Sequence, residues 1–171
     1  MGELKALLPL RNGGEGSGGE RTVLEQCLTL FRQGGVEDLA VVTGHRSDEV
    51  GAVAGWAGAR LIHNPDFASG MYSSIRAGVS ALPDRCSGFF LLPVDISLVR
   101  CGTIKLLTRS FFQAPARIVY PVFDGRRGHP PLLAPDLIPE ISQHEHPPGG
   151  LRTLLARIEA VMRRVQRGTG P

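Results

Sequence analysis

Short runs of continuous apolar residues alternate with longer amphipathic runs along this chain, and that alternation constrains the fold more than any other feature. "DLAVVTGH", "RLIHNP", "GFFLLPVD" and "RIVYPVF" read as strands. Between them, "RSDEVGAVAGWAG", "GMYSSIRAGVSAL" and "CGTIKLLTRSFF" read as helices. Ahead of the first strand, Val23, Leu24, Cys27, Leu28, Leu30 and Phe31 recur at helical spacing, with Thr22 before them and Gly34-Gly35 closing the run. "DGRRGHPPLL" reads as a hairpin turn leading into a return strand, and "LIPEI" and "GLRTLLARIEAV" read as helical. Continuous apolarity predicts strands covered on both faces. The pattern as a whole predicts an α/β fold, with a mainly parallel sheet and helices on both of its faces.

At 171 residues the chain is long enough for one domain with a substantial core, and residues 1–171 read as a single unit without repeats. Hydrophobic residues make up 42% and charged residues 20%, the balance of a globular protein. No apolar run is long enough to span a bilayer, and no basic-then-apolar leader opens the chain. Cys27, Cys86 and Cys101 lie far apart, which predicts reduced thiols in a cytoplasm rather than disulfides or a zinc site. The net charge of +3 suits a phosphate-bearing small ligand as well as it suits RNA.

In parallel α/β sheets ligands sit beyond the carboxyl ends of the strands. The residues in that position are Gly44-His45, Asn64-Pro65, Asp95 and the Gly128-His129-Pro130 turn. Asp95 closes a strand, where a carboxylate can hold magnesium or cap the next helix; the residues alone leave both open. In "NPDFASGMYSSIRAG", free N–H groups and hydroxyls at a helix start can receive an anion, or Ser69 or Ser73 can simply cap the helix. "DGRRGHPP" puts two arginines and a histidine in one glycine-bounded turn, and arginine forks suit phosphate oxygens. "RNGGEGSGGE" (Arg11 to Glu20) lacks the Gly-x-x-x-x-Gly-Lys-Ser/Thr pattern and reads as a surface connector. The His-x-His of "QHEHPP" has no further ligands beside it and reads as a loop, while "MRRVQR" reads as a solvated basic face.

Five segments, "MGELKALLPL", "VVTGHRSDEV", "HNPDFASGMYSSIRAG", "LLPVDISLV" and "VYPVFDGRRGHPPLL", stand in the order and spacing of the MobA-like nucleotidyltransferases. The chain resembles the molybdenum cofactor cytidylyltransferase branch of that family. The resemblance implies a Rossmann-like three-layer fold. It also implies transfer of a nucleotide, CMP from CTP in this branch, to molybdopterin with release of pyrophosphate. Lys5 and Asp95 would be the catalytic pair, with Asp95 holding Mg2+. Gly2, Lys5, Gly44, Asn64, Gly70, Met71 and Ser74 would line the nucleotide side. Arg127, Gly128, His129, Pro130 and Arg152 would shape the acceptor side. A molybdoenzyme or its maturation factor would be the protein partner.

The sequence departs from the family pattern at several points. Met1, Gly2 and Lys5 match only the last part of the family's Leu-Ala-Ala-Gly-x-Ser-x-Arg-Met-Gly-x-x-Lys loop, so the first strand and its glycines are expected to be missing and activity to suffer. Ser97 stands where the family usually has proline, Pro147-Pro148 replace a Gly-Asp, and the chain stops at "QRGTGP" before the family's last segment. The alternatives are a transferase using GTP or a sugar-phosphate acceptor, and a non-catalytic pterin-cofactor or nucleotide-binding module. An RNA-binding protein would need an aromatic stacking platform beside the arginines, which the sequence does not provide.

Overall fold

Thr22 accepts the Glu25 N–H on its hydroxyl (3.2 Å) while the Glu25 carboxylate accepts the Thr22 N–H (2.7 Å). This reciprocal capping box starts α1 (Val23–Gln33), as the sequence predicts. Gly34 ends the helix, and Gly35 follows at a φ of +90°. The computed structural model describes residues 4–10, 21–96, 99–113, 116–145 and 147–158, and the backbone of 161–164. Met1, Gly2, Ser97, the Arg11 to Glu20 connector and the "QRGTGP" end lie outside these described residues.

The strands are β1 (Pro9–Leu10), β2 (Arg21–Thr22), β3 (Ala40–Thr43), β4 (Arg60–His63), β5 (Phe89–Phe90), β6 (Ile118–Phe123), β7 (Arg126–Arg127), β8 (Leu132–Leu133) and β9 (Val161–Arg164). The later helices are α2 (Ser47–Trp56), α3 (Met71–Ser80), α4 (Cys101–Gln113), α5 (Ile138–Gln143) and α6 (Gly150–Ala156). β3 and β4 pair in parallel, β1 and β2 antiparallel. In the five-stranded sheet, β6 pairs in parallel with β9 and antiparallel with β7 and β8, and β8 pairs antiparallel with β5. The result is α/β, as the alternation predicts, with a return strand between β5 and β6; among the described strands the pairings are mostly antiparallel rather than parallel, because β7 and β8 fold back on β6.

Helix α3 ties the two sheets together. Its Tyr72 and Val79 lie in one core cluster with Phe89, Ile118 and Leu133, while Gly78 sits so close to Val42 of β3 that an added Cβ would come within 2.9 Å of it. The Tyr72 hydroxyl donates to the Ile141 carbonyl at 2.8 Å, locking α3 to α5. The chain runs from β4 through α3 to β5, so the carboxyl end of β4 and the start of α3 adjoin.

Three expectations are corrected. The "GLRTLLARIEAV" helix stops at Ala156, and Val161 begins β9 instead, so the basic run after it starts within a strand. Pairing with β6, where Ile118 and Val119 are fully buried, gives its backbone groups partners and overrides local helix propensity. Ser69 and Ser73 do not cap α3; Gly70 stands at the cap position, without a side-chain cap. The strands β3 and β4 are less covered than their apolarity predicts, with Ala40, Arg60, Leu61 and His63 exposed.

Candidate functional site

The corner between β4 and α3 is held by Asn64. Its N–H donates to the Thr43 carbonyl at 2.8 Å, extending the β3–β4 ladder by one residue. Its side chain is 2% exposed. Oδ1 accepts the Asp66 N–H (3.0 Å), an Asx turn, and Nδ2 donates to Ser73 Oγ (2.9 Å) and Ser74 Oγ (3.0 Å). Ser73, also buried, reaches the carbonyls of Gly70 (2.8 Å) and Asp66 (2.9 Å). Gly70 has a φ of +96° and ψ of −177°, a conformation essentially reserved for glycine, and it redirects the chain into the helix. Met71 follows as the first helical residue and is exposed. Asn64, Gly70, Met71 and Ser74 are thus gathered at one corner.

Gly44, at the end of β3, lies against Phe67 of that same corner. A Cβ there would stand 2.6 Å from Phe67 Cδ1 and closer still to its Cγ and Cβ. The close approach lets the β3 end and the 66–70 turn sit side by side, and the His45 ring packs near Phe67 at 6.1 Å between centroids.

Asp95 and His129 are brought together by strand register. β5 and β8 run antiparallel with Phe90 opposite Leu132, so the chain leaving β5 towards Asp95 passes the chain entering β8 from His129. The return strand is bulged there. Val122 pairs with Arg127 and Val119 with Leu132, so two residues of β6, Tyr120 and Pro121, face four, Gly128 to Pro131. The Gly128 N–H donates to the Pro121 carbonyl (2.8 Å), and the His129-Pro130 peptide is cis. Bulges re-aim side chains at the rims of sheets. Here partial burial pushes the His129 imidazole pKa down, while the Asp95 carboxylate pulls it up. Asp95 itself is exposed in a turn closed by the Ile96 N–H on the Pro93 carbonyl (3.0 Å). The next helix begins only at Cys101, which removes the helix-cap reading of Asp95.

Arg127 lies over the Tyr120 ring, 4.9 Å from its centroid, and burial raises the Tyr120 pKa. Lys5 is exposed on a 3-10 turn (Lys5–Leu7) whose neighbours Leu4 and Ala6 pack against the cluster of Leu24, Leu28 and Leu39. Arg152 is exposed on α6. Gly2 falls outside the described residues. A groove lined by Arg21, Glu25, Thr29, Trp56 and Ala57 contains none of the candidates. Among the described residues, no group of three or more His, Cys, Asp or Glu side chains is placed to hold a metal ion. A single exposed carboxylate still fits magnesium in its usual mode, with one or two carboxylates and the remaining ligands from phosphates and water. No described helix is long and apolar enough to cross a membrane.

Sequence reasoning missed the part played by Ser73, reading it only as a cap. It also missed Phe67 as the neighbour of Gly44. The "NPD" triplet carried a usable signal, because Asn two residues before an N–H that needs a partner favours an Asx turn.

Comparison with known proteins places these corners in context. The chain is 27% identical over 136 residues to the molybdenum cofactor cytidylyltransferase of Escherichia coli K12, a match covering 78% of this chain and 63% of that protein. It is 30% identical over 158 residues to the nicotine blue oxidoreductase of Paenarthrobacter nicotinovorans, covering 88% and 72%. Among solved structures, Rv0371c from Mycobacterium tuberculosis H37Rv superposes with a TM-score of 0.75 at 21% identity, over 96% of this chain and 80% of that one. A nucleotidyl transferase from Methanothermobacter thermautotroptrophicus superposes at 0.73 and 21%, over 95% and 75%. These likenesses establish a nucleotidyltransferase-type, Rossmann-like fold. The family model of the MobA-like NTP transferase domain matches residues 1–162. The chain therefore belongs to the MobA-like NTP transferase family and is, by family, a nucleotidyltransferase.

Proposed function

We propose that this protein transfers CMP from CTP to the terminal phosphate of molybdopterin and releases pyrophosphate. The observation that carries the reading is that the antiparallel register of β5 and β8 brings the Asp95 carboxylate into electrostatic reach of His129. The similarity to the Escherichia coli cytidylyltransferase supports this choice of donor and acceptor.

In the reaction, an oxygen of the acceptor phosphate forms a bond to the α-phosphorus of CTP. The bond from that phosphorus to the bridging oxygen breaks, and its electron pair leaves with pyrophosphate. Asp95 would hold Mg2+, and a solved relative of this fold, Rv0371c, has been determined in complex with manganese, also a divalent cation. The bound cation would offset triphosphate charge as it redistributes. Lys5, with Gly2 beside it in sequence, would face the triphosphate as a further positive group. Gly44, Asn64, Gly70, Met71 and Ser74 would form the nucleotide wall. Across from it, His129 and Pro130, aimed by the bulge, would shape the acceptor pocket with Gly128. Arg127 and Arg152 would offer forks for the acceptor phosphate. Catalysis is then mostly positioning and charge neutralisation. The cytoplasm, with a molybdoenzyme or its maturation factor receiving the product, is the matching setting.

Pyrophosphate release is the assay, with CTP or GTP as donor, molybdopterin as acceptor and magnesium present. Turnover should favour CTP. Asp95→Asn should abolish the magnesium-dependent rate, because a neutral amide replaces a hard anionic ligand. His129→Ala should raise the acceptor KM more than the CTP KM. Full turnover in Asp95→Asn would refute the metal assignment, and equal losses on both substrates would make His129 a structural residue. A second reading, an oxidoreductase on the same domain, is favoured by the 30% identity to the Paenarthrobacter relative. It predicts oxidation or reduction of a bound pigment with no pyrophosphate formed.

A further inference from the structure

Asn64 fixes the direction of two serine hydroxyls at the start of α3. Its Oδ1 accepts the Asp66 N–H, which can only donate, so the amide orientation is set and Nδ2 must face the serines. The two Nδ2 hydrogens then go to Ser73 Oγ (2.9 Å) and Ser74 Oγ (3.0 Å). Ser73 has a use for its own proton, with the Gly70 and Asp66 carbonyls at 2.8 and 2.9 Å. Ser74 differs. It is half-buried, its oxygen accepts from Asn64, and among the described residues nothing accepts its proton. A hydroxyl whose oxygen is held by an amide N–H and whose proton is unclaimed is set to donate.

We propose that Asn64 is a positioning residue that presents Ser74 as a hydrogen-bond donor to an acceptor atom of the bound nucleoside triphosphate. The inference rests on the nucleotidyltransferase reading above and adds a polarity to it. At 2% exposure, with both amide hydrogens committed, Asn64 acts through Ser74 rather than on the ligand itself. With one lone pair of Ser74 Oγ taken by Asn64 and its proton unclaimed, the corner favours a ligand acceptor.

The test is a double-mutant cycle read as the CTP dissociation constant, by calorimetry with magnesium present. Ser74→Ala should weaken binding about tenfold, the usual effect of losing one such bond, and Ser74→Thr, which keeps the hydroxyl, should retain affinity. Asn64→Asp keeps the shape and the bond to the Asp66 N–H, but its carboxylate takes protons from both serines and turns Ser74 inward. It should weaken CTP binding about as much as Ser74→Ala, and add nothing further in the Ser74→Ala background. An Asn64→Asp loss that persists undiminished in that background would come from charge or misfolding, and would overturn the proposal. So would a Ser74→Thr variant as weak as Ser74→Ala. Nuclear magnetic resonance of the unsubstituted protein and Ser74→Ala gives a readout that does not need Asn64→Asp to fold. Both Asn64 side-chain amide protons should exchange slowly in the former, and one should exchange quickly in Ser74→Ala. Fast exchange of both in the unsubstituted protein would also overturn the arrangement. If the unsubstituted protein binds no nucleoside triphosphate, the enzyme reading itself fails. If it binds CTP and the cycle is additive, only the Asn64–Ser74 relay fails.

Discussion

Replacing Gly44 with alanine puts a single methyl group into the tightest approach at the candidate site. Carbon atoms in ordinary contact lie about 3.5–4.0 Å apart. The new Cβ would lie 2.6 Å from Phe67 Cδ1 and nearer still to Cγ and Cβ. Phe67 is 44% exposed, so its ring can swing away. Its Cβ cannot, because Cβ moves only with the backbone. That backbone is tied down by the Ser69 N–H on the Asp66 carbonyl (2.9 Å) and the Gly70 N–H on the Phe67 carbonyl (3.1 Å). Overpacking of this kind costs about 1–3 kcal/mol. For a domain of this size that is a fall in Tm of roughly 2–12 °C, at about 2–4 °C per kcal/mol. Calorimetric or circular-dichroism melting of Gly44→Ala measures it. A second substitution separates the causes. Phe67→Ala retains the offending Cβ and should not restore Tm in the Gly44→Ala background, whereas Phe67→Gly should restore part of it. CTP affinity follows the same logic: if Gly44 matters by packing, Phe67→Gly recovers binding as well as stability. An unchanged Tm in Gly44→Ala, or complete rescue by Phe67→Ala, would refute the reasoning.

Two further expectations concern ionisable groups away from the site. The Thr22 N–H and hydroxyl lower the Glu25 pKa, so the folded chain holds fewer protons than the unfolded one. That stability is present above the unfolded carboxylate value of about 4.3 and is lost as pH falls through the folded value; Glu25→Gln should flatten the acid side of a Tm-against-pH curve by this amount. Burial raises the Cys27 thiol pKa, while Cys86 and Cys101 are partly exposed; at pH 8, maleimide followed by mass spectrometry should label Cys86 and Cys101 well before Cys27, and equal rates would contradict the packing of α1.

What could be read from sequence was what depends on near neighbours in the chain. Thr22, Gly34 and Gly35 bracket α1 because capping is settled within a few residues. The β4–turn–α3 corner was visible in "HNPDFASGMYSSIRAG" for the same reason, and Asp95 was visible because it ends an apolar run. What could not be read depends on pairing at a distance. Val161–Arg164 looks like the tail of a helix until β6 is there to pair with it. The aim of His129 depends on the register of β8 against β6, which no local pattern encodes. The proton pattern of Ser73 and Ser74 depends on how far α3 stands from the end of β4. In each case a partner beyond the local stretch, from Asn64 about ten residues before the serines to β6 about forty before β9, decides between conformations that the local sequence leaves equally open.

The bulge before β8 has a consequence in parity. Four residues stand opposite two, an even surplus, so alternation between the two faces resumes in step: Leu132 and Leu133 are inside the core, as Ile118 and Val119 opposite them are. The Gly128 to Pro131 stretch is nevertheless anchored at both ends, by the Gly128 N–H on the Pro121 carbonyl and by Pro130 and Pro131 inside the protein, which leaves His129 exposed between them. His129 is thus the position that can be exchanged according to what it meets outside the protein, while the strands that hold it stay as they are.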